Sequence, residues 1–179
     1  MNQPTNPLYR EIKFEFDFEC LKEAIDNTDI GEGSYLNPIQ LDPFVINDLK
    51  NFFEIEEGSG FMVYMDFKDT NYQPKCHFLK LQNRNKNQDH IMTREDWEKC
   101  FDIKDDPNVA YVPDGSLFLM PTSNDGLQGF EILTKESDPS TTAKNTYISY
   151  TIVLSLSIDD HTYFFRIDPF VRLTSKDRT

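Results

Sequence analysis

The sequence predicts an α+β fold, namely a largely antiparallel sheet of about six to eight strands with two or three short helices packed on one face. Two observations predict it. Apolar and polar residues alternate repeatedly along the chain, and helix-start signals precede two short segments of helical spacing. The chain has 179 residues, of which 38% are hydrophobic. This length suits one hydrophobic core better than two, so we expect residues 1–179 to form a single globular domain.

The first predicted element is a strand followed by a short helix. Apolar residues at every second position of 12–18 alternate with charged residues, which is typical of a strand with one buried and one solvent-facing side. The solvent-facing side is acidic. A short helix is expected around 21–25, and the Gly, Ser, Asn and Pro content of 31–38 predicts a loop.

The next segment predicts a helix over 43–55. Asp42 supplies an N-cap and Pro43 a preset first turn, and apolar residues then follow at helical spacing. The helix would end in three carboxylates, which oppose the helix dipole instead of complementing it. Such an arrangement suggests a binding role. These residues are Glu54, Glu56 and Glu57.

The middle of the chain predicts further strands and one more helix. Alternation in 61–67 and 75–81 predicts a hairpin, with His77 on the same face as Leu79. Thr93 is typical of an N-cap, and acidic residues and a tryptophan follow it, so a short helix is expected there. The remaining strands are predicted at 109–112, 116–120 and 130–133.

A long hairpin is the clearest feature of the C-terminal region. Apolar residues occupy every second position of 148–158, and the second arm repeats the pattern. Folding at Asp159-Asp160 brings both apolar series to one face in a single register. That register pairs Ile158 with His161, Leu156 with Tyr163, Leu154 with Phe165, Ile152 with Ile167 and Ile148 with Val171.

Pro169 constrains the hydrogen bonding of this hairpin. It has no amide hydrogen, so it should not occupy a position whose amide bonds to a neighbouring strand. We therefore predict a four-residue loop, 158–161, with unchanged facing, which turns the Pro169 nitrogen outward. Residues from 169 onward are expected to lie at a sheet edge or to leave the sheet.

The net charge of −13 narrows the possible partners. Residues 1–60 alone carry 13 acidic and 4 basic side chains. Such a field repels nucleic-acid phosphates and anionic lipids, and it attracts basic proteins. No apolar run approaches the roughly 20 residues of a membrane-spanning helix. We expect a basic protein partner and no direct contact with nucleic acid or membrane.

Signals for catalysis or metal binding are missing from the sequence. It contains no G-x-S-x-G, Walker-type or H-E-x-x-H motif. Cys76 and His77 are neighbours on a predicted strand, so their side chains point to opposite faces and cannot bind one metal ion. We therefore expect no metal, no cofactor and no catalytic residues. Three cysteines and an N-terminal segment unlike a secretion signal predict reduced thiols and a cytoplasmic protein.

Three classes of function remain open. The sequence favours a non-enzymatic interaction protein, such as an inhibitor, an immunity-type protein or an assembly component, that engages a basic partner through an acidic N-terminal surface. The second class is a small-molecule binding domain with an apolar pocket in a curved, aromatic-rich sheet. The third is an enzyme with dispersed catalytic residues. The predicted partner-binding residues are Glu15, Asp17, Glu19, Glu54, Glu56 and Glu57.

Overall fold

The computed structural model contains β-strands and two short α-helices, so an α+β fold is correct in outline. It describes residues 9–27, 32–46, 52–56, 58–67, 72–83, 91–124, 127–135, 146–168 and 170–174. The helices are α1 (Phe18–Asp26) and α2 (Arg94–Cys100). The strands are β1 (Tyr9–Phe16), β2 (Ile39–Gln40), β3 (Phe52–Glu56), β4 (Gly60–Phe67), β5 (Lys75–Asn83), β6 (Val109–Tyr111), β7 (Leu117–Leu119), β8 (Thr122–Asn124), β9 (Leu127–Leu133), β10 (Thr146–Ile158), β11 (His161–Ile167) and β12 (Phe170–Thr174).

The strands form two sheets, whereas a single sheet of six to eight strands was predicted. The smaller sheet has four strands in the order β1-β4-β9-β8. The larger sheet has eight strands: six follow the order β2-β11-β10-β5-β7-β6, and β12 pairs with both β10 and β3. Most pairs are antiparallel, but β1 with β4, β2 with β11 and β3 with β12 are parallel.

The buried apolar residues of both sheets, apart from Val153, belong to one hydrophobic cluster. Phe14 of the smaller sheet meets Tyr150 of the larger sheet edge to face, with ring centroids 6.5 Å apart. At another contact between the sheets, the Cys76 amide donates a 3.0 Å hydrogen bond to the side chain of Gln128. Burying one large apolar side chain stabilises a fold by roughly 1.5–3 kcal/mol. The largest buried side chains include Trp97, Phe14, Phe16, Phe61, Phe101, Phe130 and Phe165.

Each helix contacts turns and strand ends, and the packing of the helices on one face of a sheet stays a prediction. Helix α1 follows β1 directly and includes Phe18, which the alternation had assigned to the strand. Its Lys22 ammonium lies 3.2 Å from the carboxylate of Asp159, in the turn between β10 and β11. In α2, the indole of Trp97 donates a 2.9 Å hydrogen bond to the carbonyl of Gly115, and the chain leaving α2 pairs with the end of β9.

The predicted helix over 43–55 is wrong. The chain makes one 3₁₀ turn at Asp42–Phe44, Val45 then pairs with Phe16, and β3 runs parallel to β12. Residues 47–51 lie outside the described residues. The helical spacing of the apolar residues is a weaker determinant here than the hydrogen bonds that an extended chain makes to strands distant in sequence.

The predicted hairpin between 61–67 and 75–81 is also wrong. Strand β4 lies in the smaller sheet and β5 in the larger one, so the connection between them carries the chain from one sheet to the other. A β-bulge in β5 shifts the alternation against β10. As a result Cys76, instead of His77, shares the buried face with Leu79.

The C-terminal hairpin has the predicted register but not the predicted loop. Strands β10 and β11 align as expected, and β12 continues the same alignment with Ile148 opposite Val171. The predicted four-residue loop is wrong, because Ile158 at the end of β10 pairs with His161 at the start of β11. Only two residues are left in the loop. Asp159 and Asp160 form a two-residue turn with φ values of 47° and 66°, as a type I′ turn requires.

The prediction that residues from 169 onward lie at an edge or leave the sheet is wrong as well. Strand β12 pairs with β10 on one side and with β3 on the other. Pro169 itself lies outside the described residues. The preceding Asp168 accepts a 2.6 Å hydrogen bond from the Thr151 hydroxyl. Strand β11 ends at Ile167, and β12 begins at Phe170 in the same register against β10.

Candidate functional site

The outward side of β1 carries charged residues. Glu11, Lys13 and Glu15 alternate with the buried Ile12 and Phe14, so they point away from the core. Glu11 and Lys13 are exposed, whereas Glu15 is half-buried. The predicted acidic side of this strand is therefore directed towards solvent.

Two further carboxylates join this side from neighbouring strands. Asp66 of β4 lies opposite Glu15, and Glu131 of β9 lies opposite Met62 of β4. We call the outward surface formed by Glu11, Lys13, Glu15, Asp66 and Glu131 the acidic face. Its four carboxylates and one ammonium give it a formal charge of −3 at pH 7.

Lys13 lies between the carboxylates of β1 and β4. Its Nζ atom is 2.5 Å from Asp66 Oδ2 and 3.9 Å from Glu15 Oε1. The hydrogen bond to Asp66 raises the pKa of Lys13, and attraction to both carboxylates adds to this effect. Because the lysine side chain is 50% exposed, the ion pair contributes little to stability. Its main effect is to reduce the repulsion between Glu15 and Asp66, which lie directly opposite each other.

Tyr64 adds an aromatic ring to the outward side of the smaller sheet. It lies on β4 opposite Lys13. Burial raises the pKa of the Tyr64 phenol, and a hydrogen bond with Glu11 raises it further. The phenol therefore stays protonated and donates to a carboxylate of the acidic face. An aromatic ring beside carboxylates is a favourable contact site for Lys and Arg side chains.

Asp17 and Glu19 lie next to the acidic face, at the start of α1. The Asp17 carboxylate accepts a 3.0 Å hydrogen bond from the Cys20 amide, which makes it the N-cap. This bond lowers the pKa of Asp17. Glu19 is exposed in the first helical turn. Both carboxylates complement the helix dipole, so Asp17 has a local structural role while Glu19 faces solvent.

The remaining predicted residues are not part of the acidic face. Glu54 and Glu56 lie on β3 of the larger sheet, opposite Arg172 and Thr174 of β12. Glu57 lies outside the described residues. Because residues 52–56 form a strand, the argument that these carboxylates oppose a helix dipole is wrong. The five predicted residues that the structure describes therefore divide between two separate parts of the molecule.

Asp66 and Glu131 are residues of the acidic face that the sequence analysis did not identify. The alternation of apolar residues in β4 places position 66 on the outward side. Only the parallel pairing of β1 with β4 brings it beside Glu15. A helix and two strands separate β1 from β4 in the chain, and local patterning carries no signal for a pairing between such distant segments.

His77 and Ser155 form a hydrogen-bonded pair on the outward side of the larger sheet. The Nε2 atom lies 2.8 Å from Oγ, and the imidazole stacks on Phe164 with ring centroids 5.3 Å apart. Burial lowers the pKa of His77, and the nearby charge of Lys75 lowers it further. Ser155 is only 5% exposed. The bond therefore satisfies a covered hydroxyl and does not present a nucleophile to solvent.

The cysteines are free thiols, and two of them have raised pKa values. Burial raises the pKa of Cys76 to about 12, and a hydrogen bond with Asp17 raises the pKa of Cys20. Both effects favour the thiol over the reactive thiolate. Within the described ranges, no three His, Cys, Asp or Glu side chains are grouped in a way that could hold a metal ion. The same part of the chain contains no helix that is both long and apolar enough to cross a membrane.

No protein-family model and no curated protein matches this sequence. One solved structure with a similar chain course is the inclusion body protein PixA from Burkholderia cenocepacia. The two chains share 10% sequence identity and superpose with a TM-score of 0.46, over 98% of this chain and 100% of that one. A likeness of this size carries no information about function.

Proposed function

We propose that this protein is a non-enzymatic interaction protein that engages a basic protein partner through its acidic face. The observation that carries the proposal is the grouping of Glu11, Glu15, Asp66 and Glu131 on one outward sheet surface that holds a single lysine. Lysine or arginine side chains of a partner would complement the net negative charge of the acidic face.

The charge of the surrounding chain supports the same proposal. Residues 1–60 hold 13 of the 31 acidic side chains but only 4 of the 18 basic ones. A concentrated negative field accelerates encounter with a basic partner and makes the association rate sensitive to salt. Tyr64 supplies the aromatic contact that anchors cationic side chains at many interfaces.

The packing between the sheets favours recognition at the surface over ligand binding inside. Phe14 and Phe61 of the smaller sheet and Phe165 of the larger one are all at most 2% exposed. Large aromatic side chains thus fill part of the shared core. This observation gives the small-molecule alternative less support than the acidic face gives to a protein partner.

Charge reversal tests the proposal. The double variant Glu11→Lys/Glu15→Lys changes the acidic face by four charge units. The matched control, Glu32→Lys/Glu95→Lys, makes the same change at two exposed residues outside that face. We expect the wild-type protein and the control to retain one basic protein from an extract of the native cells, and the purified pair to dissociate as salt increases. The first variant should lose at least 90% of this binding.

Two results would overturn the proposal. One is equal loss of binding in both double variants, because net charge alone would then explain it. The other is a retained partner that is acidic or whose affinity does not depend on salt. Thermal unfolding of each variant verifies that the smaller sheet remains folded.

A further inference from the structure

Strand β6 forms an open edge of the larger sheet. Within the described part of the chain it pairs only with β7. The Val112 amide bonds to the Ser116 carbonyl at 3.0 Å, and the Met120 amide bonds to the Asn108 carbonyl at 2.7 Å. These bonds show that the main-chain N–H and C=O groups of even-numbered residues point towards β7. Those of odd-numbered residues point away from β7, towards the open edge.

The outward phase leaves three main-chain groups of β6 available. The Val109 amide already donates to the Asp106 carbonyl at 3.2 Å. The Val109 carbonyl and both main-chain groups of Tyr111 have no hydrogen bond to any described residue. Ala110 and Tyr111 are exposed. A further strand can pair with this edge, because it presents the Val109 carbonyl and, two residues later, the Tyr111 amide and carbonyl.

The edge is held in place by contacts on its inner side. The Tyr111 hydroxyl donates a 2.9 Å hydrogen bond to the Met92 carbonyl, and the buried Trp97 indole bonds to the Gly115 carbonyl in the turn after β6. A ligand strand would therefore meet a preformed edge. Preformed edges reduce the entropy that binding must remove.

The charges around β6 indicate which kind of strand would add. Asp105 and Asp106 precede it by three to four residues, Lys104 is the nearest base in the sequence, and Asp114 in the turn after it pairs with the Lys80 ammonium at 3.2 Å. The exposed Ala110 lies opposite Phe118 of β7, whose half-buried ring has the Lys80 ammonium 5.6 Å from its centroid. The chemistry of this edge thus suits an extended segment with basic residues beside small or apolar ones.

We propose that β6 is a docking edge that accepts an extended basic peptide segment of another protein as an added strand. The inference goes beyond the proposed function, because β6 and the acidic face belong to different sheets and each can bind without the other. Backbone hydrogen bonds to Val109 and Tyr111 give the affinity, and Asp105 and Asp106 favour basic segments.

The probe for this proposal is a hexapeptide of alternating lysine and valine, followed by amide chemical shifts of the ¹⁵N-labelled protein. We expect saturable shifts centred on residues 109–111. Two N-methylated forms of the peptide test the backbone contact without any change to the protein. In each form, the amides along one edge of the peptide strand are methylated and cannot donate hydrogen bonds. Since one edge of an added strand bonds to β6 and the other faces solvent, one form should bind as the parent does and the other should lose at least tenfold in affinity.

Protein variants give an independent measurement. Tyr111→Pro removes an outward amide without removing a bond to β7, so it should weaken peptide binding at least tenfold. Tyr111→Phe keeps the amide and should bind within twofold of wild type. A hexapeptide of alternating glutamate and valine should bind at least tenfold more weakly than the lysine peptide. Equal binding of the two N-methylated forms, equal binding of the acidic peptide, or no shifts in 109–111 at millimolar peptide would each overturn the proposal.

Discussion

His77 is the residue whose surroundings most directly predict a pH dependence. Its lowered pKa means that the folded protein favours the neutral imidazole. The stability from this preference is fully present above the unfolded-state pKa of about 6.5, and it is lost as the pH falls below that value. Burial of the imidazole and the nearby positive charge of Lys75 are what disfavour its protonated form.

We therefore expect His77→Gln to reduce the fall in the free energy of unfolding between pH 7 and pH 5. Glutamine keeps a side chain that can bond to Ser155 but does not titrate. Urea unfolding at a series of pH values measures the effect. His161→Gln, which removes an exposed imidazole beside the hairpin turn, is the control. If both variants flatten the acid limb equally, the surroundings of His77 are not the cause.

At the scale of elements, the hairpin of β10 and β11 closes through an unfavourable turn sequence. Asp159 and Asp160 both have positive φ, a region in which residues with a Cβ atom are strained and glycine is not. The Asn-Gly sequence that type I′ turns prefer is absent. Asp159 also forms the ion pair with Lys22 of α1, so Asp160 is the residue to replace.

Asp160→Gly should stabilise the protein by about 0.5–1 kcal/mol. The Cβ strain that it relieves in the folded state is larger than the conformational entropy that glycine adds to the unfolded chain. Asp160→Ala is the matched control, since it removes the same charge but keeps the Cβ atom. We expect the alanine variant to be no more stable than wild type in denaturant titrations. Equal stabilisation by both substitutions would show that charge, and not backbone strain, governs this turn.

Elements that depend on a local pattern could be predicted from the sequence, and elements that depend on distant pairing could not. The hairpin register was predictable because strict alternation allows one alignment that buries both apolar series. Strand β3 was not predictable, because the apolar spacing after Asp42 suits a helix. The partner of β3 lies more than a hundred residues away, in β12. For the acidic face, the outward position of Glu15 followed from local alternation, whereas its meeting with Asp66 required the pairing of two distant strands.

At the scale of the whole molecule, the two sheets meet through large side chains, and their shared core predicts that they unfold together. Phe14 of β1 is fully buried and contacts Tyr150 of β10 across the interface. Cys76 and Gln128 add a second link between the sheets. A single domain over 1–179 remains a prediction, and the cooperativity of unfolding is its test.

Phe14→Ala should destabilise the whole protein by about 3–5 kcal/mol, because it leaves a cavity between the sheets. If the sheets form one cooperative unit, hydrogen exchange of the slowest amides should accelerate by the same factor in β4 and in β10, although only the smaller sheet is altered. Phe14→Leu, expected to cost about 1–1.5 kcal/mol, provides the same comparison if the alanine variant does not fold. Acceleration confined to β1, β4 and β9 would show that the sheets unfold independently.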